Sequence, residues 1–244
     1  MTEAEWLAGG ELWTMLDLLG PEFSERKSRL FAVLCCRRAW HLIPVEESRR
    51  CVDAAEQFAD GLIGQEELTA VVTASMQACE SEWHRRTETG ERWGPVEQAI
   101  INAVGRIHRT HGSGRNVACP AVRRAIAIER AVRENQQRDG GDFHYSQPQI
   151  DALEREEEVH QASLLREIAG NPFRPITLDS RWQTETVVAL ATGIYAERAF
   201  DRMPILADAL EDAGCDLADI LTHCRSDGPH VRGCWVVDLI LGKS

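Results

Sequence analysis

Positive charge is the first thing that this sequence has little of. Its 244 residues contain 27 lysines and arginines against 39 aspartates and glutamates, which gives a formal net charge of −12. A protein that coats nucleic acid needs a cationic surface to neutralise phosphate groups. The composition therefore argues against nucleic acid as a partner.

The sequence also lacks a long apolar run and an export signal. No segment approaches the roughly 20 consecutive apolar residues that a membrane span needs. Glu3 and Glu5 stand where a secretory signal would carry positive charge. We therefore expect a cytoplasmic protein without a membrane span, and we expect its eight cysteines to be reduced thiols.

Alternation of apolar and polar residues with a period of two is missing as well. Apolar residues instead recur at helical spacing, in segments bounded by proline, glycine or capping residues. We predict an all-α fold, a multi-helix orthogonal or bundle-like globule of about ten helices. The predicted helices are a short one starting at Thr2 and the segments 24–41, 46–60, 65–85, 95–111, 120–139, 149–169, 180–199, 204–213 and 217–224.

The last apolar segment, 234–241, fits either a helix or a buried strand. We favour a helix because no other segment offers it a strand partner. The length of the chain allows one large domain or two small ones. We predict a single helical domain over 1–244, and the polar, glycine-containing segment 138–147 is the best candidate for a subdomain boundary.

A predicted helix carries polar residues on its apolar side. In 149–169, Leu153, Leu164 and Ile168 define the apolar face, and Glu157 and His160 fall on or beside it. Glu-x-x-His is half of the di-metal carboxylate motif of helical bundles. This spacing makes Glu157 and His160 candidate metal ligands.

His108 and His111 offer a second pair, three residues apart, in the predicted helix 95–111. If this pair faced Glu157 and His160, the four side chains would form a mixed nitrogen and oxygen site for zinc, iron or manganese. The alternative is structural. His111 would cap the C-terminus of its helix, and Glu157 would belong to the solvated acidic run 154–158.

A second candidate metal site lies near the end of the chain. Cys215, Cys224, His230 and Cys234 are all of zinc-ligand type, but their gaps are irregular and contain no Cys-x-x-Cys pair. The alternative is that the cysteines are buried as small apolar residues. The dipeptide 228–229, Gly-Pro, would then form an ordinary turn.

Four segments carry a resemblance to a known family. They are 1–7 (MTEAEWL), 29–40 (RLFAVLCCRRAW), 170–175 (GNPFRP) and 228–243 (GPHVRGCWVVDLILGK). The sequence resembles a family of uncharacterised bacterial proteins, seen mostly in planctomycete-type genomes. The resemblance covers both ends of the chain and implies a bacterial, cytoplasmic protein, but it implies no activity and no catalytic residue.

Taken together, these patterns favour a helical binding or scaffold module that engages a protein partner or an unknown ligand. The alternative function is a metal-dependent helical-bundle enzyme, a hydrolase or an oxidoreductase, with a His/Glu site and a divalent metal as its cofactor. Thiol chemistry at Cys224, or at the adjacent Cys35 and Cys36, is a third hypothesis, for which His223 is the only evident activating neighbour.

Overall fold

A computed structural model describes residues 1–9, 11–105, 118–139 and 145–243. Within these ranges the chain forms twelve α-helices and no strand, so the predicted all-α fold class is confirmed. The helices are α1 (Glu3–Ala8), α2 (Leu12–Leu19), α3 (Glu25–Arg38), α4 (Glu46–Ala59), α5 (Gln65–Glu88), α6 (Pro95–Val104), α7 (Ala118–Asp139), α8 (Gln147–Ala169), α9 (Glu185–Glu197), α10 (Met203–Asp212), α11 (Ala218–Arg225) and α12 (Trp235–Leu241).

Side-chain caps start several of these helices where the sequence predicts a start. The amide of Thr2 donates to Oε2 of Glu5 at 2.7 Å, and the amide of Glu5 donates to Oγ1 of Thr2 at 3.3 Å. This reciprocal pair is a capping box, which satisfies two backbone donors that the helix itself leaves unpaired. Ser24 caps α3 in the simpler way, accepting from the amide of Lys27 at 3.2 Å.

The helices α12 and α2 show what the sequence pattern can and cannot predict. The segment 234–241 forms α12, so the helix prediction is confirmed, and Gly242 ends this helix in the left-handed conformation with a φ of 63°. The sequence pattern did not predict α2. Its eight residues span little more than two turns, which is too short for a clear helical repeat.

The described chain separates into two compact units. One unit is Gly9–Ala162, and the other combines Met1–Ala8 with Ser163–Ser244. We call the latter the terminal unit. Residues 140–144 lie outside the described part of the chain. The single domain over 1–244 and the boundary at 138–147 therefore stay predictions.

The core of the terminal unit comes from apolar side chains of its last four helices. One cluster includes Val187, Leu206, Ile220 and Val237, all of which are buried. Three cysteines belong to the same core. All eight cysteines of the chain are free, and seven of them are buried. None of the described helices is long and apolar enough to cross a membrane.

Candidate metal centre

Four potential metal ligands converge in the terminal unit. They are Glu167, His223, His230 and Cys234, and their donor atoms all lie within 4.8 Å of one another. Glu167 lies in the last turn of α8 and His223 in the last turn of α11, while Cys234 directly precedes α12. His230 lies in the loop that connects α11 to α12.

Short-range hydrogen bonds give this loop its shape. The hydroxyl of Ser226 donates to the carbonyl of His223 at 2.8 Å, and the amide of His230 donates to the carbonyl of Gly228 at 2.8 Å. The amide of Cys234 then donates to the carbonyl of Val231 at 2.9 Å. These successive turns fold the loop back, so that His230 and Cys234 lie beside the end of α11.

The separations between the donor atoms match a small tetrahedral site. Nε2 of His223 lies 3.1 Å from Sγ of Cys234. Oε1 of Glu167 lies 3.1 Å from Nδ1 of His230 and 3.5 Å from Nε2 of His223. Zinc bonds to nitrogen, oxygen and sulfur place neighbouring donors about 3.3 to 3.8 Å apart in a tetrahedron. These three distances are close to those of a tetrahedral site, and the remaining separations are at most 4.8 Å.

Burial and charge also suit a divalent cation. The side chains of Glu167 and His230 are 4% and 7% exposed, and Cys234 is fully buried. With neutral imidazoles, a carboxylate and a thiolate carry two negative charges in a region screened from water. Buried charges need a compensating partner, and a divalent ion would leave the centre with no net charge.

The pKa values of these groups reflect their crowding. Burial alone would raise the pKa of Glu167, but hydrogen bonds with His223 and His230 lower it to about 2. The hydrogen bond with Glu167 raises the pKa of His230. Burial, followed by the charge of Glu167, raises the pKa of the Cys234 thiol. A bound cation would reverse this last effect, because it stabilises the thiolate.

The outer nitrogen of His230 has the partner that metal-bound histidines usually have. Its Nε2 lies 3.1 Å from the carbonyl oxygen of Ser226, to which it can only donate. Metal-bound histidines commonly donate their second ring N–H to a carbonyl or a carboxylate, which fixes the ring and leaves the other nitrogen for the metal. In His230 that other nitrogen is Nδ1, the atom that faces Glu167.

The first predicted metal site is only partly within the described residues. Both carboxylate oxygens of the buried Glu157 accept hydrogen bonds from Arg38, at 2.6 and 2.7 Å, in a partly buried ion pair. His160 is exposed on α8. His108 and His111 lie outside the described residues. Glu157 is therefore engaged by a cation of the chain itself, and the four-residue site stays a prediction.

Only two residues of the second predicted site lie in the four-residue centre. His230 and Cys234 belong to the four-residue centre, whereas Cys215 and Cys224 are not among its members and pack in the apolar core. Burial raises the pKa of the Cys224 thiol to about 12. Cys215 and Cys224 are thus buried as small apolar residues, which is the alternative that the sequence also allowed.

Sequence reasoning did not include Glu167 and His223 among the metal ligands. A signal for Glu167 was present, because it follows the buried Leu164 by three residues and so lies beside the apolar face of α8. Glu157, on the same helix, showed the same pattern and has a different role. His223 carried no comparable signal, since its partners come from a loop whose path depends on tertiary packing.

Comparison with known proteins gives no indication of function. Protein-family models, curated proteins and solved structures were each compared with the chain, and none matches. The resemblance to the planctomycete-type family therefore stays a prediction.

Proposed function

We propose that the protein binds a zinc ion through Glu167, His223, His230 and Cys234. The convergence of these four donor atoms within 4.8 Å carries the proposal. Imidazole and thiolate ligands favour zinc over magnesium or calcium, which prefer oxygen ligands alone. The carboxylate completes a mixed set in which two anionic ligands balance the charge of the ion.

The proposed role of the zinc ion is structural. Four protein side chains fill a tetrahedral zinc site, whereas catalytic sites keep one position open for water or substrate. The ion would connect the end of α8, the end of α11 and the start of α12. Because ligands from distant parts of a chain meet only after folding, the free energy of metal binding adds to the stability of the folded state.

A metal-dependent enzyme is the alternative use of the same centre. It would need one ligand to leave the ion during the reaction. Glu167 is the natural candidate because it is the only oxygen ligand of the four, and carboxylates suit zinc less well than imidazole or thiolate ligands do. Under either use we propose a cytoplasmic location, where reducing conditions keep the Cys234 thiol free to bind zinc.

Metal analysis of protein purified without chelators tests the proposal. We expect close to one zinc ion per chain in the wild type and a strong loss of zinc in His223→Ala, His230→Ala and Cys234→Ala. His160→Ala and Cys215→Ala are matched controls that should retain the metal, since neither residue belongs to the centre. Zinc well below one ion per chain in the wild type would refute the proposal.

A binding or scaffold function is a second candidate, and one surface feature favours it. Met76 and Trp83 are 59% and 50% exposed and lie seven residues apart on α5, so they face the same way. Exposed large apolar side chains in such a pair are typical of a helix face that binds a protein partner.

The partner hypothesis has its own test. Wild-type protein and the double variant Met76→Gln/Trp83→Gln would be used to capture partners from a native lysate. We expect the double variant to lose a protein that the wild type captures. Ile205→Gln, which changes another exposed apolar residue in the terminal unit, should capture it normally. Equal capture by all three proteins would exclude this face of α5.

A further inference from the structure

The two histidines of the proposed zinc centre differ in the partner of their outer nitrogen. Nε2 of His230 donates to the carbonyl oxygen of Ser226 at 3.1 Å. Nδ1 of His223 instead lies 3.2 Å from Nε1 of Trp235. An indole N–H can only donate a hydrogen bond. Nδ1 of His223 therefore accepts, which is the opposite direction from the one that metal-bound histidines usually show.

This direction determines which nitrogen of a neutral His223 carries the proton. If Nδ1 accepts from Trp235, the proton is on Nε2. Nε2 is also the atom that faces the centre, 3.1 Å from Sγ of Cys234 and 3.5 Å from Oε1 of Glu167. The hydrogen bond from Trp235 thus places a proton at the position that the zinc ion would occupy.

Zinc binding at Nε2 would require the opposite arrangement. The proton leaves Nε2 for solvent, and the neutral ring takes up one proton from solvent at Nδ1, so the total number of protons on the ring is unchanged. Nδ1–H would then face the indole N–H of Trp235, and neither group could accept from the other. The present hydrogen bond between His223 and Trp235 is therefore incompatible with zinc bound at Nε2.

The indole ring of Trp235 packs against neighbouring groups of the terminal unit. Gly170, which ends α8 with a φ of 72°, lies against the indole ring. A Cβ atom at Gly170 would come within 3.2 Å of the ring, so the ring occupies the space next to this backbone. The rings of His223 and Trp235 are also close, with centroids 5.0 Å apart. Turning the indole away would cost these contacts as well as the hydrogen bond.

From this geometry we infer that Trp235 is a positioning residue that holds His223 in the form unable to bind metal and thereby weakens zinc binding. The inference rests on the proposed zinc function and concerns the regulation of the same centre. Zinc binding breaks the hydrogen bond between Trp235 and His223, so the measured affinity is lower than the four ligands alone would provide.

Competition with a chelator of known zinc affinity tests this role. Trp235→Phe removes the indole N–H and keeps an aromatic ring. We expect it to bind zinc roughly three- to tenfold more tightly than the wild type, which is the effect of one ordinary hydrogen bond. Trp182→Phe, the same change at a second tryptophan of the same apolar core, should leave the affinity unchanged. Equal or weaker zinc affinity in Trp235→Phe would overturn the inference.

A second measurement needs no variant. Long-range proton–nitrogen correlation spectra of the wild-type protein report which nitrogen of each histidine ring carries a proton. We expect His223 to be protonated at Nε2 in the metal-free protein and at Nδ1 after addition of zinc, together with a shifted indole N–H signal of Trp235. Protonation at Nδ1 in the metal-free protein would overturn the inference, even if Trp235→Phe does not fold.

The outcomes separate the two proposals. If the wild type takes up no zinc, the proposed function fails and this inference fails with it. If the wild type binds zinc stoichiometrically while Trp235→Phe shows no gain in affinity, only the role of Trp235 is refuted.

Discussion

Oε1 of Glu167 lies 3.1 Å from Nδ1 of His230, although the two residues are 63 positions apart in the chain. The carboxylate is on α8, and the imidazole belongs to the loop before α12. Nε2 of His223 lies 3.5 Å from the same oxygen. One carboxylate oxygen of α8 therefore lies close to both histidines, and this arrangement defines the candidate site.

Zinc should stabilise the folded protein measurably. At one hundred times its dissociation constant, a ligand that binds only the folded state adds about 2.7 kcal/mol. For a protein of this size this corresponds to a rise in Tm of roughly 5 to 10 °C. Thermal unfolding with zinc and with chelator should show this rise in the wild type and in His160→Ala. A similar rise in His230→Ala would contradict the assignment of His230 as a ligand.

Glu157 should matter for stability and not for metal content. Glu157→Gln leaves Arg38 without its bidentate carboxylate partner, and Glu157 itself is 1% exposed. Breaking a buried ion pair costs about 3 to 5 kcal/mol. We expect a smaller loss of about 2 kcal/mol because the Arg38 side chain is 36% exposed and partly screened by water.

Urea unfolding gives this loss of stability, and metal analysis of the same variant gives its zinc content. Zinc at the wild-type level is expected. A loss of zinc in Glu157→Gln would instead support the site predicted from Glu157 and His160.

Gly170 should tolerate substitution less well than another glycine with similar backbone conformation. Gly170 and Gly214 have φ values of 72° and 86°, so alanine is strained at both. Only at Gly170 would the added Cβ meet an indole ring, that of Trp235, while nothing lies within 4 Å at Gly214.

We expect Gly214→Ala to lower the free energy of unfolding by about 1 kcal/mol. Gly170→Ala should cost about 1 to 3 kcal/mol more, because the ring must shift. Urea unfolding of both variants measures the difference. Equal losses would show that the Trp235 ring shifts at little cost, so that its packing against Gly170 does not hold it beside His223.

The buried thiol of Cys51 should make stability fall in alkali. Burial raises its pKa from 9.0 to about 12. Since the folded pKa lies above the unfolded one, this contribution is complete below about pH 9 and is lost as the pH rises towards 12. The loss is at most about 1.4 kcal/mol per pH unit.

The contribution of the Cys51 thiol can be isolated by comparing the wild type with Cys51→Ala. The free energy of unfolding of both proteins would be measured near pH 8 and near pH 10, with reductant and chelator present. We expect the wild type to lose more stability than the variant over this interval. Parallel losses in the two proteins would show that the Cys51 thiol ionises as readily when folded as when unfolded.

Local patterns were reliable guides to the helices. The capping box of Thr2 and Glu5 and the apolar spacing depend on neighbours within one or two turns, and these are visible in the sequence. Residues 30–36 of α3 are apolar without a break, and all of them are buried, as such a run predicts. The missed helix α2 marks the limit, because so short an element is held mainly by tertiary contacts.

The candidate site was less accessible to sequence reasoning. His230 and Cys234 were recognised as ligand types, but they were grouped with Cys215 and Cys224, which are near them in the sequence and lie in the apolar core. Glu157 and Glu167 both lie beside the apolar face of α8. Only their surroundings distinguish them, since Arg38 pairs with the first and two histidines approach the second.

The sequence by itself determined the all-α class, most helix positions and the types of side chain from which a metal centre could be built. These properties follow from the spacing of residues along a single segment. The tertiary structure alone decided that Glu167 meets His223, His230 and Cys234, and that the indole of Trp235 donates to His223. Such contacts join residues from separate helices and a loop, and their formation depends on how apolar faces pack, which no local pattern specifies.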